Sequence, residues 1–213
     1  MKKKENILCF VAHPDDLEIS MGGSVCKYVK EGKDVIEIIF SYGEISHLKR
    51  EIIIRTRVKE AKKAAKMMGV KTVIFLGLPD GRIKSEIEKK NIKNKIKKII
   101  QKYEPIKIFT HLPNDTHPDH RVVSKAVIKS VDELNGNNLY GFEVWNIPNL
   151  RMSKFPMLYN DVTKFFNKKL EVLKIFESQK QYTLQLMPVI YTRAKIAGEK
   201  INVKYAEKFY KLK

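Results

Sequence analysis

The chain has 213 residues, 43% of them hydrophobic and 31% charged, a composition that excludes disorder and makes one globular domain the default. No apolar run approaches the length of a bilayer span and the Lys-rich N-terminus lacks a cleavage pattern, so no membrane span and a cytoplasmic protein are expected. The net charge is +18, but the excess is mostly Lys scattered over helical faces with no recognition motif beside it, so no specific nucleic-acid binding is expected.

The first apolar run, residues 7–12, reads as a buried strand that stops at His13-Pro14-Asp15-Asp16. Pro14 fixes its own φ and biases His13 away from helix, so these polar groups sit on a defined turn. Residues 22–30 read as a helix stopped near Gly32, and residues 34–42 as a second strand ending in Ser41-Tyr42-Gly43-Glu44. A helical pattern over 48–68 closes at Gly69, a third strand covers 72–76, and Leu78-Pro79-Asp80-Gly81 signals a turn. Residues 87–102 form a Lys-rich pattern with apolar positions at 92, 96, 99 and 100, an amphipathic helix with a solvated basic face. A fourth strand over 106–110 leads into a polar loop, His111 to His120, then a helix to about Ser130 and a fifth strand over 139–144. Beyond this, residues 161–177 read as helix, 187–190 as a short strand and 205–211 as a last short helix. Cys9 and Cys26 fall on a strand and a helix and are expected as buried, reduced thiols.

Alternating strands and helices imply right-handed crossovers and an α/β fold with a mainly parallel, helix-covered sheet. The chain divides into a core over 1–150 and a C-terminal helical extension over 151–213 packed on it. In such sheets ligands sit past the carboxyl ends of strands. Three strand ends carry polar clusters: His13-Asp15-Asp16, Asp80, and the run Asn114 to His120.

Two nitrogens and one oxygen from His13, Asp16 and His120 match the three protein ligands of a catalytic zinc site. Asp15 cannot easily share an ion with its neighbour and is left to take a proton from bound water, whose pKa a metal brings near neutrality. His117, three residues before His120, is placed to stand protonated beside a developing oxyanion or a leaving amine. This is a complete set for hydrolysing an unactivated amide. Simpler readings stand beside it. His111 suits a structural hydrogen bond, and Asp119 either a helix-start carboxylate or a partner that fixes a His tautomer.

At these residues the chain resembles the LmbE-like/PIG-L family of zinc-dependent N-deacetylases. The resemblance rests on Ala12-His13-Pro14-Asp15-Asp16-Leu17-Glu18 with Gly22-Gly23, and on His117-Pro118-Asp119-His120-Arg121. Weaker echoes are Gly43-Glu44, Arg57 to Ala61, Leu76 to Gly81, Ser178-Gln179 and Tyr205 to Phe209. One departure is Leu17, where the family most often has Glu; here Glu18 follows one residue later. The resemblance implies a Rossmann-like fold and one divalent metal, zinc or else Fe2+ or another divalent ion, on His13, Asp16 and His120. It also implies Asp15 as general base, His117 as its electrophilic or acid partner, and Arg57 and Asp80 as contacts to the sugar. The expected activity is removal of acetyl from an N-acetylglucosamine-type conjugate, a small molecule, by a monomer or a homo-oligomer.

Local alternatives are an Arg57–Glu60 pair on one helix, a purely turn-forming Asp80, and core packing of Tyr42 and Trp145 rather than stacking on a sugar. The competing function is a catalytically relic binding protein that uses its basic surface for an anionic partner. Phosphoester cleavage is set aside, since it calls for a second metal or a phosphate clamp.

Overall fold

In the computed structural model, residues 4–44, 50–144 and 155–213 are described. Seven strands form one sheet in the order β3-β2-β1-β4-β5-β7-β6, where β1 is Asn6–Val11, β2 Asp34–Ser41, β3 Thr72–Leu78, β4 Lys107–His111, β5 Leu139–Phe142, β6 Met157–Asp161 and β7 Ala206–Lys211. The first five are mutually parallel, and β7 runs antiparallel to both β5 and β6.

Parallel strands buried on both faces must be apolar throughout, and β1 shows this directly. Its Ile7, Cys9 and Val11 enter one core with Leu17, Val25, Phe109 and Phe176. Its Leu8 and Phe10 enter the other with Ile38, Ile83, Ile96 and Val127. The first core lies under α1 (Asp16–Lys30), α2 (Arg50–Met68), α6 (Phe166–Leu173) and α7 (Lys180–Glu199). The second lies under α3 (Ile83–Lys89), α4 (Ile92–Tyr103) and α5 (Pro118–Asp132). Both cysteines are buried and unpaired. No described helix is long and apolar enough to cross a membrane.

The chain leaves β1 for β2 on one side and later returns to β4 on the other. The carboxyl ends of β1 and β4 therefore flank the point where strand order reverses, the ligand crevice of open α/β sheets.

Three sequence expectations are corrected. Residues 205–211 are not a helix: Ala206–Lys211 is β7, a strand between β5 and β6. Residues 187–190 are not a strand but the middle of α7, which carries Pro188 inside it. The C-terminal extension thus adds two strands to the sheet as well as helices. The Lys-rich pattern over 87–102 is two helices rather than one, because Asn91 takes a left-handed conformation with φ 50° between α3 and α4.

The helix expected from residue 22 begins earlier, at Asp16, across a break at Met21 where the backbone is not helical. The break leaves amides of the following turn without intrahelical acceptors. Glu207 of β7 supplies them, accepting from Gly23 N at 3.1 Å and Ser24 N at 2.7 Å while pairing with Lys169 at 2.6 Å. Gly23 is required there, since a Cβ would lie 2.9 Å from Val162 Cβ. Removing one partner of a buried ion pair costs about 3–5 kcal/mol. Glu207→Ala is therefore expected to lower the denaturant midpoint by an amount worth about 3 kcal/mol or more. A loss under about 1 kcal/mol would mean that these groups find other partners.

Candidate metal centre

His13 follows β1, and Pro14 turns the chain into α1 so that Asp15 and Asp16 stand at its start. Asp16 Oδ2 accepts the His13 amide at 2.8 Å, which fixes the carboxylate over the strand end. His111 is the last residue of β4, and His117 caps α5, its Nδ1 accepting from Asp119 N at 3.2 Å. His120 lies one turn further into α5 and is fully buried.

The segments predicted to converge do so. His13 Nδ1 is 3.7 Å from Asp16 Oδ2, and His120 Nε2 is 3.4 Å from Asp16 Oδ1. Three overlapping groups have candidate ligand atoms within 4.8 Å of one another: His13-His117-His120, Asp16-His111-His120 and His13-Asp80-Asp119.

Hydrogen bonding separates these roles. His120 Nδ1 is 3.1 Å from Asp115 Oδ1, so it carries the proton and its lone pair is on Nε2. That Nε2 is buried and has no hydrogen-bond partner among the described residues, an orphaned ring nitrogen that fits a cation, proton or metal. His13 Nε2 faces Asp80 Oδ1 at 3.2 Å and Asp119 Oδ2 at 3.5 Å, which leaves Nδ1 turned to Asp16. His111 Nε2 accepts the Ala12 amide at 2.9 Å, which commits its lone pair to the backbone. His111 is thus a structural hydrogen bonder, stacked on His120 with ring centroids 3.9 Å apart.

Charges follow the same pattern. Burial opposes the charged form of His13, but Asp119 and Asp80 push its pKa up to about 10. Burial likewise opposes charge on His120, while Asp16 and Asp115 push it up to about 9. Burial would raise the Asp16 carboxyl, yet His120 and His111 hold it well below the usual range. In a strongly basic chain this is an acid-lined recess that needs cations, either protons on His13 and His120 or a metal.

Asp15 holds a left-handed backbone, φ 92° and ψ −26°, which costs a non-glycine residue on the order of 1–3 kcal/mol. Arg57 keeps it there: its guanidinium donates to Pro14 O at 2.7 Å and Gly43 O at 2.9 Å and lies 3.3 Å from Asp15 Oδ1. Gly43, φ +69°, admits this approach, since a Cβ would fall 2.4 Å from Arg57 Nη1. Burial raises the Asp15 carboxyl to about 7, against the pull of Arg57.

The Arg57–Glu60 pairing is corrected: Arg57 is buried, and its guanidinium bonds Pro14, Gly43 and Asp15 rather than Glu60. Glu60 instead takes Ser178, accepting from its amide at 2.9 Å and its hydroxyl at 2.5 Å. Asp80, expected against the sugar, faces His13. His117, expected protonated, is pulled below its ordinary value by burial and then by His120 and His13. Its Nδ1 accepts the Asp119 amide, so in the neutral imidazole the proton sits on Nε2. Tyr42 stacks on Phe75 at 5.6 Å, the packing alternative, and Trp145 lies outside the described residues.

Asp115 and Glu37 were not singled out in the sequence. Asp115 had a signal, a carboxylate five residues before a candidate His ligand. Glu37 interrupts an apolar strand; burial and then Asp16 and Asp15 raise it to about 8. It influences Glu18, whose carboxyl is raised first by burial and then by Glu37. Neither carboxyl makes a hydrogen bond among the described residues.

Comparison with known proteins places this geometry in a family. A probable N-acetyl-alpha-D-glucosaminyl L-malate deacetylase 2 from Bacillus cereus is 27% identical over 85% of this chain and 87% of its own length. A diacetylchitobiose deacetylase from Thermococcus kodakarensis is 26% identical over 95% of this chain and 81% of its own. The structure of N,N'-diacetylchitobiose deacetylase from Pyrococcus horikoshii, complexed with an inhibitor, superposes with a TM-score of 0.81 at 26% identity, covering 98% of this chain and 84% of that one. Residues 8–131, well over half the chain and spanning both His-Pro-Asp segments, match PIG-L, described as GlcNAc-PI de-N-acetylase, and the chain belongs to that family.

Proposed function

We propose that this protein is a divalent-metal-dependent hydrolase that removes acetyl from an N-acetylated amino sugar. The observation that carries this is the pairing of His13 and His120 across Asp16. Each imidazole has its outer nitrogen committed to a carboxylate, and the adjacent Asp15 carboxylate is held by Arg57. Relatives named as deacetylases of N-acetylglucosaminyl malate and diacetylchitobiose support the substrate class.

His13, Asp16 and His120 would hold the ion, a set of two nitrogens and one oxygen that suits zinc and also iron(II). A divalent cation there supplies Lewis acidity toward water and the acetyl carbonyl. The chain supplies the rest. Asp15, with a carboxyl raised to about 7, accepts the proton of the attacking water near neutral pH. His117, neutral and protonated on Nε2, donates a hydrogen bond to the oxygen where charge develops. The proton taken by Asp15 then passes to the nitrogen of the breaking amide, releasing acetate and the amino sugar. Asp115 and Asp80 hold His120 and His13 in the required tautomers.

Amine and acetate release from N-acetylglucosaminyl malate and from diacetylchitobiose, with zinc and with iron(II), tests the reading. One acetate per amine is expected from at least one pair; release from neither with either metal overturns it. Arg57 has its own expected signature. Its charge lowers the Asp15 carboxyl, so Arg57→Gln should shift the acidic limb of the kcat/KM profile to higher pH, with kcat reduced tenfold or more. An unmoved limb would dissociate Arg57 from the base.

A further inference from the structure

A second recess lies beside the metal centre and takes no part in the chemistry above. It has a volume of about 300 Å³, with Ile19, Ile190 and Ala194 among its apolar walls and Arg193, Lys200 and Lys208 among its cations. It shares α1 with the metal site. Ser20, on its wall, donates to Asp16 O at 2.6 Å, and Arg193, also on its wall, feels the charge of Asp115, the partner of His120.

The carboxylates of the recess are already taken. Glu207 is paired with Lys169 at 2.6 Å, and Glu143 is 3.3 Å from Lys208 and accepts Tyr210 Oη at 3.1 Å. Arg193 is the exception. Its Nη1 donates to Val144 O at 2.9 Å, but Nη2 is buried with no hydrogen-bond partner among the described residues. Buried polar groups are almost always satisfied, and a lone buried donor on a cavity wall points to an acceptor that enters from outside. A guanidinium favours carboxylate and phosphate oxygens. Exposed Lys200 adds positive charge at the same wall.

We infer that this recess receives an anionic group, a carboxylate or phosphate, borne on the substituent of the amino sugar whose acetamide lies at the metal centre. Arg193 is the residue that contacts it. The inference rests on the deacetylase reading and narrows it: anionic conjugates of N-acetylglucosamine are preferred over neutral ones.

The test compares kcat/KM for N-acetylglucosaminyl malate, which carries carboxylates, with that for neutral diacetylchitobiose. In the wild type the ratio is expected to favour the anionic conjugate, and in Arg193→Gln that ratio should fall tenfold or more. Arg193→Lys, which keeps the charge and loses the fork, should lie between. An unchanged ratio in both variants overturns the assignment, because a purely structural Arg193 would affect both substrates alike. Should the wild type turn over neither compound, the deacetylase reading fails, and calorimetry with inorganic phosphate then decides the recess separately. Binding that weakens tenfold in Arg193→Gln supports the anion site; equal binding in both proteins, or none in the wild type, removes it.

Discussion

Asp15→Asn is expected to retain the metal and lose turnover, kcat falling by about 10²–10⁴-fold, the usual worth of a positioned general base. Asn is the informative replacement. Asp15 has φ 92°, a conformation Asn tolerates better than most side chains, so the turn carrying His13 and Asp16 should survive. The amide cannot accept the proton of an attacking water, yet it can still receive a hydrogen bond from Arg57. Elemental analysis after dialysis should give the wild-type metal content. Turnover within tenfold of wild type would move the base elsewhere. The same variant has a stability signature. The Asp15 carboxyl is raised to about 7 in the fold from an ordinary value near 3.8. A raised acid contributes stability that is complete below the unfolded pKa and is lost as pH rises through the folded one. Metal-free wild type should therefore lose stability between about pH 4 and 7 on this account, and Asp15→Asn should lack that slope in its thermal midpoint.

This base is stressed by its surroundings, and that explains which parts of the site could be read from the sequence. His13, Asp16 and His120 are local statements: each belongs to a short motif at the end of an apolar run, and the parallel sheet brings such ends to one edge. The five parallel strands were equally visible, because a strand buried on both faces has to be continuously apolar, as Leu8 and Cys9 show by packing into opposite cores. Arg57 and Asp80 were read only as far as their identity. Their partners, Pro14 and His13, lie 43 and 67 residues away, and no spacing rule reaches that far. The C-terminal errors have a different origin. The segment from Ala206 to Lys211 has its apolar residues at 206, 209 and 210, the i, i+3, i+4 spacing of a helix, and the strand is imposed by β5 and β6, which pair with it on both sides. Asn91 breaks the Lys-rich helix through a left-handed residue that the apolar spacing on either side does not reveal.

His120→Ala is expected to abolish stoichiometric metal binding and, with it, measurable turnover. His120 Nε2 is buried and has no hydrogen-bond partner among the described residues, and it faces Asp16; alanine offers no ligand atom in its place. Asp115→Asn should show the graded version, weakening metal affinity by about 10–100-fold, because the outer carboxylate sets the tautomer and basicity of the ligand. The pH dependence follows from the same groups. In the metal-free protein His13 is raised to about 10 and His120 to about 9, so both hold protons that an incoming ion must displace. Two displaced protons make the apparent affinity rise by about 100-fold per pH unit below pH 9. Stability has the matching sign. A His whose folded pKa exceeds its ordinary value near 6.5 contributes stability that is complete below that value and is lost as pH rises through 9 to 10. Metal-free protein should thus lose thermal midpoint between about pH 7 and 10 on the histidine account, and added zinc should restore most of it by replacing the protons with its own charge. A metal affinity that does not change between pH 6 and 8 would mean that these two imidazoles are not the ligands.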